Sequence, residues 1–155
     1  MRKYKLTDET ISIVRDGKKI TLYQIESLRD FAVVKAGDKG GFIEKESNLS
    51  QDGNCWVYGS AKVYDNAWIC GSAKVYGSAK VYGNAGICGS AEVYGNAKVY
   101  DNAKVYGNAL VYDNAEVFGN AWVYGETEVF GNAWVFGSTA VYGMDKICGD
   151  SVRGV

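Results

Sequence analysis

The sequence predicts an all-β protein: a triangular solenoid of parallel strands, 18 residues per coil and about five to six coils, with a small N-terminal cap. Two observations carry this. From residue 54 to residue 149 the chain runs as sixteen hexads without an insertion, of the type SAKVYG and NAEVFG. Within them the fourth residue is always Val or Ile and the second is Ala in twelve of the sixteen, whereas the third varies among Lys, Glu, Trp, Gly, Leu and Ala. A strict internal repeat is the mark of a stacked array.

Strand alternation gives the pattern its direction. Side chains two apart share a face, so positions two and four point one way and positions three and five the other. Position three carries Lys62, Lys74, Lys80, Lys98 and Lys104, which cannot fill a narrow core unpaired. Ala and Val therefore point inward, and the Lys/Glu/Trp and Tyr/Phe positions point outward. Gly-Asn, Gly-Ser and Asp-Asn make the corners, because these residues tolerate positive φ. Three hexads close a coil, and coils stacked about 4.8 Å apart make a rod roughly 25 Å long. A helix is poor use of Val and Tyr in every hexad with Gly at most sixth positions.

The elements follow in chain order. Residues 1–40 lack the repeat. Residues 10–14 and 19–25 read as two strands across the turn Arg15-Asp16-Gly17-Lys18, a hairpin-like cap that hides the open end of the solenoid. The solenoid covers residues 41–149. Phe42, Ile43 and Leu49 begin its core in imperfect register, with NLSQDG as a degenerate hexad. Residues 150–155 form a tail. Asp145 stands where Ala is expected, and Asp150, Ser151 and Arg153 follow, a polar break expected to end the coil.

Residues 18 apart stack, so each outer face resolves into rows. Thirteen aromatic side chains fall at outward position five, in rows such as Tyr58-Tyr76-Tyr94-Tyr112-Phe130 and Tyr64-Tyr82-Tyr100-Phe118-Phe136. They are expected to stack along the rod. At position three one row places Lys74 beside Glu92 and Glu128 beside Lys146, as solvated ion pairs. A second row stacks Lys62, Lys80 and Lys98. These repel one another and would accept an anion such as phosphate, although a solvated, solubilising face is the simpler expectation.

The third row is the locally odd one: Trp68, Gly86, Lys104, Trp122, Ala140. Gly86 and Cys88 leave a small floor. Trp68 rises on one side, Lys104 and Tyr106 on the other, and Asn84 lies at the adjoining corner. An aromatic wall, a cation and a shallow floor suit a planar anionic ligand such as a nucleotide. The alternative is that a neighbouring subunit's bulky side chain fills the notch. Cys70 and Cys88 are stacked close enough for a disulfide, yet a reducing compartment leads us to expect two free thiols. Cys55 replaces a core Ala and is expected to be inert.

Composition narrows the chemistry. The 155 residues carry 17 Lys plus Arg against 18 Asp plus Glu, so no global field favours a long nucleic acid. There is no histidine, hence no imidazole base and no histidine-held metal. No CxxC pair suggests a zinc ribbon, and neither metal nor cofactor is expected. No apolar run is long enough for a signal peptide or a membrane span, which leads us to expect the cytoplasm and no membrane partner.

From NCWVYG, SAKVYD and NAWICG onward, the chain resembles the hexapeptide-repeat superfamily, whose fold is the left-handed parallel β-helix. The hand is implied by the resemblance alone, since crossover connections are otherwise right-handed. The leader LYQIESLRDF…VKAGDKGGFIEKESNLS, residues 22–50, is similar to the front end of bacterial and phage members labelled transferases without a known activity. Trimers with parallel axes are common in the superfamily, which implies a homotrimer. Its acyltransferases place a histidine base near the acceptor, often on a loop protruding from the coil, and its carbonic anhydrases hold zinc with three histidines. This chain has no histidine, and its sixteen hexads have no loop. The expectation is therefore a non-catalytic binding protein that holds a small anionic ligand at inter-subunit grooves. A phage protein that sequesters nucleotide signals is one form of it. A structural rod and an acyltransferase-like enzyme are the alternatives.

Overall fold

The computed structural model describes residues 2–149 and 152–153. Strands β1 (Tyr4–Arg15) and β2 (Lys18–Ser27) form an antiparallel hairpin. Its turn residues Asp16 and Gly17 both have positive φ, 53° and 77°, the conformation that matches the twist of two-residue hairpins. Strand β3 (Lys39–Ile43) pairs antiparallel with β2 and, in parallel, with the strand of the second hexad: Phe42 beside Lys62, Ile43 beside Val63. Cap and one wall of the solenoid are thus a single nine-stranded sheet. The other two walls are sheets of six and five strands. Each hexad contributes a two-residue strand at positions three and four, and the register between the coils of the hexads is 18 residues, as in Trp68 beside Gly86 and Glu92 beside Lys74. The coils number about six.

Burial follows the alternation. The inward residues from Ala61 and Val63 to Ala133 and Val135 are at most 1% exposed. Outward aromatic rings stack face to face, as in Tyr82 on Tyr100 at 5.0 Å and Tyr94 on Tyr112 at 4.9 Å. Each glutamate at position three of a hexad is clamped by a tyrosine one coil before it. Tyr76, Tyr100 and Tyr112 donate their hydroxyls to Glu92, Glu116 and Glu128 at 2.6–2.7 Å.

The corners are uniform. Every sixth residue from 53 to 149 has positive φ: fourteen glycines and three aspartates, Asp65, Asp101 and Asp113. A β-carbon in that conformation is strained. Each aspartate offsets the strain by accepting, through Oδ2, the backbone N–H one coil further on, from Gly83, Gly119 and Gly131, all at 3.0 Å. The glycine corners are tight as well. A β-carbon at Gly89 would sit 2.8 Å from the backbone nitrogen of Gly107.

The ends depart from the repeat. Trp56 stands at an outward position but is 1% exposed, because Tyr4 and Phe31 of the cap meet it edge-on at 6.0 and 5.3 Å. Lys3 is buried and donates to the carbonyls of Cys55, Asp52 and Gly53 at 2.8–3.3 Å, plugging the first coil. Buried Asn48 holds the degenerate hexad: its amide donates to the Asp65 and Ala67 carbonyls while its oxygen accepts from the Glu44 and Lys45 amides. Ile43 and Leu49 enter the core as expected, but Phe42 faces outward in register with Lys62.

Two further expectations are corrected. Lys74 and Glu92 share a register but form no ion pair within 4 Å; Glu92 is held by Tyr76 instead. The Glu128–Lys146 pair is present at 3.9 Å. The coil also runs past the polar break, since Val152–Arg153 pairs in parallel with Trp134–Val135. Of the tail residues, Asp150, Ser151, Gly154 and Val155 lie outside the described residues.

Two outcomes are expected of the folded chain. Asp101→Ala keeps the strained corner and loses its hydrogen bond, lowering the free energy of unfolding in urea by about 1–2 kcal/mol. Asp101→Gly relieves the strain and costs less. The second concerns pH. Burial, and then the hydrogen bond to a carboxylate, raises the phenols of Tyr76, Tyr100 and Tyr112 above their ordinary value of 10.0. Burial chiefly pushes Tyr64 up to about 12. A raised folded-state value favours the neutral form, so the stabilisation is complete below pH 10 and falls as the pH climbs past it. Tyrosinate absorbance is expected to rise with unfolding, later than in free tyrosine.

Candidate functional site

The fold brings the expected residues of the third face together. Trp68, Gly86 and Lys104 occupy consecutive rungs in direct register. Their chemistry is directed at one another. The indole of Trp68 lies across Gly86, where an added β-carbon would stand 2.4 Å from Cζ2 of the ring. Only a residue without a side chain leaves room for it there. Lys104 Nζ stands 5.6 Å from the centroid of the same ring, a cation–π contact. The expected open floor is thus covered by a side chain of the same chain.

The remaining members have partners too. Tyr106 stacks on Tyr124 at 4.9 Å and meets Trp122 edge-on. Asn84 begins a ladder of amides along the corner, donating to Asn102, which donates to Asn120, both at 3.2 Å. It also lines a polar cavity of about 360 Å³ with Asp16, Glu44, Lys45, Asp65, Asn66 and Gly83. Cys88 is joined to Cys70 by a disulfide, with Cα atoms 4.8 Å apart. This corrects the expectation of two free thiols. The direct register of adjacent rungs already sets the two position-five Cα atoms within the span of a disulfide. Cys55 is buried, its thiol pushed up by desolvation, and Cys148 is exposed.

A different groove is less occupied. Between the cap loop and the first face lies a cavity of about 340 Å³ lined by Val33, Tyr58, Lys74, Tyr76 and Glu92, within the size range of small-molecule sites. It exists because the aromatic row breaks there. Tyr76 stacks flat on Tyr94 at 4.7 Å, but Tyr58 stands edge-on to Tyr76, at 85° and 6.2 Å. One ring face of Tyr76 is thereby free of a parallel neighbour. Lys74 reaches the same groove with no ion-pair partner within 4 Å among the described residues. Val33, 75% exposed, supplies an apolar lip. Burial raises the phenols of Tyr58 and Tyr76, with the Glu92 carboxylate adding to both.

Sequence reasoning missed this groove because it depends on where the non-repeating cap loop lands. One signal was available. Trp56 at an outward position of the first coil needs cover, and whatever covers it ends beside Tyr58, two residues on.

The disulfide has a direct check. In denaturant without reductant, thiol titration is expected to count two reactive cysteines, Cys55 and Cys148, and four after reduction. Four without reduction would show the bond absent.

No family model matches the chain. Over 62 residues it is 47% identical to a protein of Escherichia coli (strain K12) named "Uncharacterized acetyltransferase YdcK". The match covers 37% of this chain and 19% of that protein, so the chain spans about a fifth of its relative's length. No helix among the described residues is long and apolar enough to cross a membrane. The six-residue repeat, the three-walled solenoid of 18-residue coils and this relative together fit a member of the hexapeptide-repeat superfamily.

Proposed function

We propose that this solenoid is a non-catalytic binding protein that seats a small planar anion, of the nucleotide class, in the groove between its cap and first face. The break in the aromatic row carries this reading. It frees a face of Tyr76 for stacking beside the unpaired Lys74 ammonium. Stacking and a cation are the two contacts such a ligand needs. Side-by-side association of copies, as a homotrimer, would wall in a groove that is otherwise open to solvent. Exposed Trp122, Trp134 and Tyr142 on the outer faces are apolar surface that association would cover. The notch of Trp68, Gly86 and Lys104 is the weaker seat, because its own indole occupies it.

The name of the relative favours a second reading, acetyl transfer. Against it, none of the 155 residues is a histidine, so proton transfer from an acceptor would fall to a carboxylate or a tyrosine. The tyrosines nearest the groove are held neutral by their surroundings.

Titration with a nucleotide panel, alongside native mass spectrometry of protein purified from cells, tests the binding reading. A bound nucleotide is expected. Lys74→Ala and Tyr76→Ala should each weaken it roughly tenfold or more while leaving the β-rich circular dichroism unchanged. No ligand across the panel, or unaltered affinity in both variants, overturns the groove. Transfer of acetyl from acetyl-CoA to any acceptor overturns the non-catalytic reading.

A further inference from the structure

Lys62, Lys80 and Lys98 stand in one row on the wall that continues from the cap sheet, each in direct parallel register with the next. Rungs lie about 4.8 Å apart, so three ammonium groups are spread along roughly 10 Å of straight strand ladder. All three lysines are half-buried, their stems lying on the surface and their charges outermost. Among the described residues none of them forms an ion pair within 4 Å. Glu116, next in the row after Lys98, is the obvious counter-charge, but it accepts the Tyr100 hydroxyl at 2.7 Å. Among the described residues Lys62 donates only to the Ser60 carbonyl, at 3.2 Å. Its ammonium is held below the ordinary lysine range, first by burial and then by Lys80.

Like charges directly opposite one another on adjacent strands are destabilising, and here the backbone register fixes them there. A single small anion relieves one lysine. A chain of linked anions relieves all three in one association event, because each further contact is intramolecular. The chain must offer a charge at every rung. Linked phosphates do so on a flexible backbone, and a lysine ammonium binds phosphate as a compact point charge. We propose that this row is a docking strip for a linear polyphosphate chain lying along the solenoid axis, on a different wall from the nucleotide groove and independent of it.

Calorimetric titration of the full chain with pyrophosphate and with polyphosphate of graded length, at several salt concentrations, tests the proposal. Affinity is expected to rise with length until the chain spans three rungs, about 10 Å. Lys80→Gln should weaken polyphosphate binding about tenfold and lower the slope of log affinity against log salt by about one. Lys146→Gln, which removes an equal charge elsewhere, should change neither. Lys80→Gln should melt no lower than the parent, since it removes a repelling charge, so a loss of binding cannot be laid to unfolding. Equal binding by the Lys80 and Lys146 variants overturns the strip. So does pyrophosphate binding as tightly as long chains, or single-stranded DNA or a polyuronate binding more tightly than polyphosphate at the same salt.

Discussion

The structure depends on the left-handed backbone conformation that recurs at every sixth residue from 53 to 149. Because that bend arrives after an even number of residues, each strand leaves its corner with the same side chains inward. Ala and Val then meet Ala and Val across a narrow triangular interior. The corners stack so closely that fourteen of them are glycine, and the three aspartates each bring a hydrogen bond to the coil beyond. Inward packing, outward rows and the parallel ladder between coils are all consequences of that one repeated turn.

Regularity of this kind leaves the ends as the difficult part. An open coil presents unpaired N–H and C=O groups and an apolar lumen. The junction of cap and first coil answers with residues that break the repeat's own rules: a lysine inside, an asparagine inside and an outward tryptophan roofed by two rings. The candidate groove lies beside that same junction, where the cap loop meets the first aromatic row and turns Tyr58 out of line.

What could be read beforehand divides along the same boundary. The inward Ala and Val, the corner glycines and the stacked tyrosines follow from a six-residue pattern and the alternation of a strand. They were legible residue by residue. Trp56 was not, because its burial depends on a loop that carries no periodic signal. The Lys74–Glu92 pair does not form: register places two charges side by side without saying which other groups compete. The Tyr76 hydroxyl, two residues along on the same face, takes the carboxylate. The notch at Gly86 shows the reverse difficulty. A missing side chain reads as a vacancy in sequence, yet here it is the room that Trp68 requires.

The 18-residue register bears on how such a chain can lengthen or shorten. Removing a single hexad would keep every bend and every Ala-Val pair, yet turn all later residues onto the next wall. Tyrosine would leave its glutamate, and cysteine its partner. Gaining or losing a whole revolution would preserve each column. For this architecture the natural quantum of insertion or deletion is three hexads, and fusion joints between such rods should respect it.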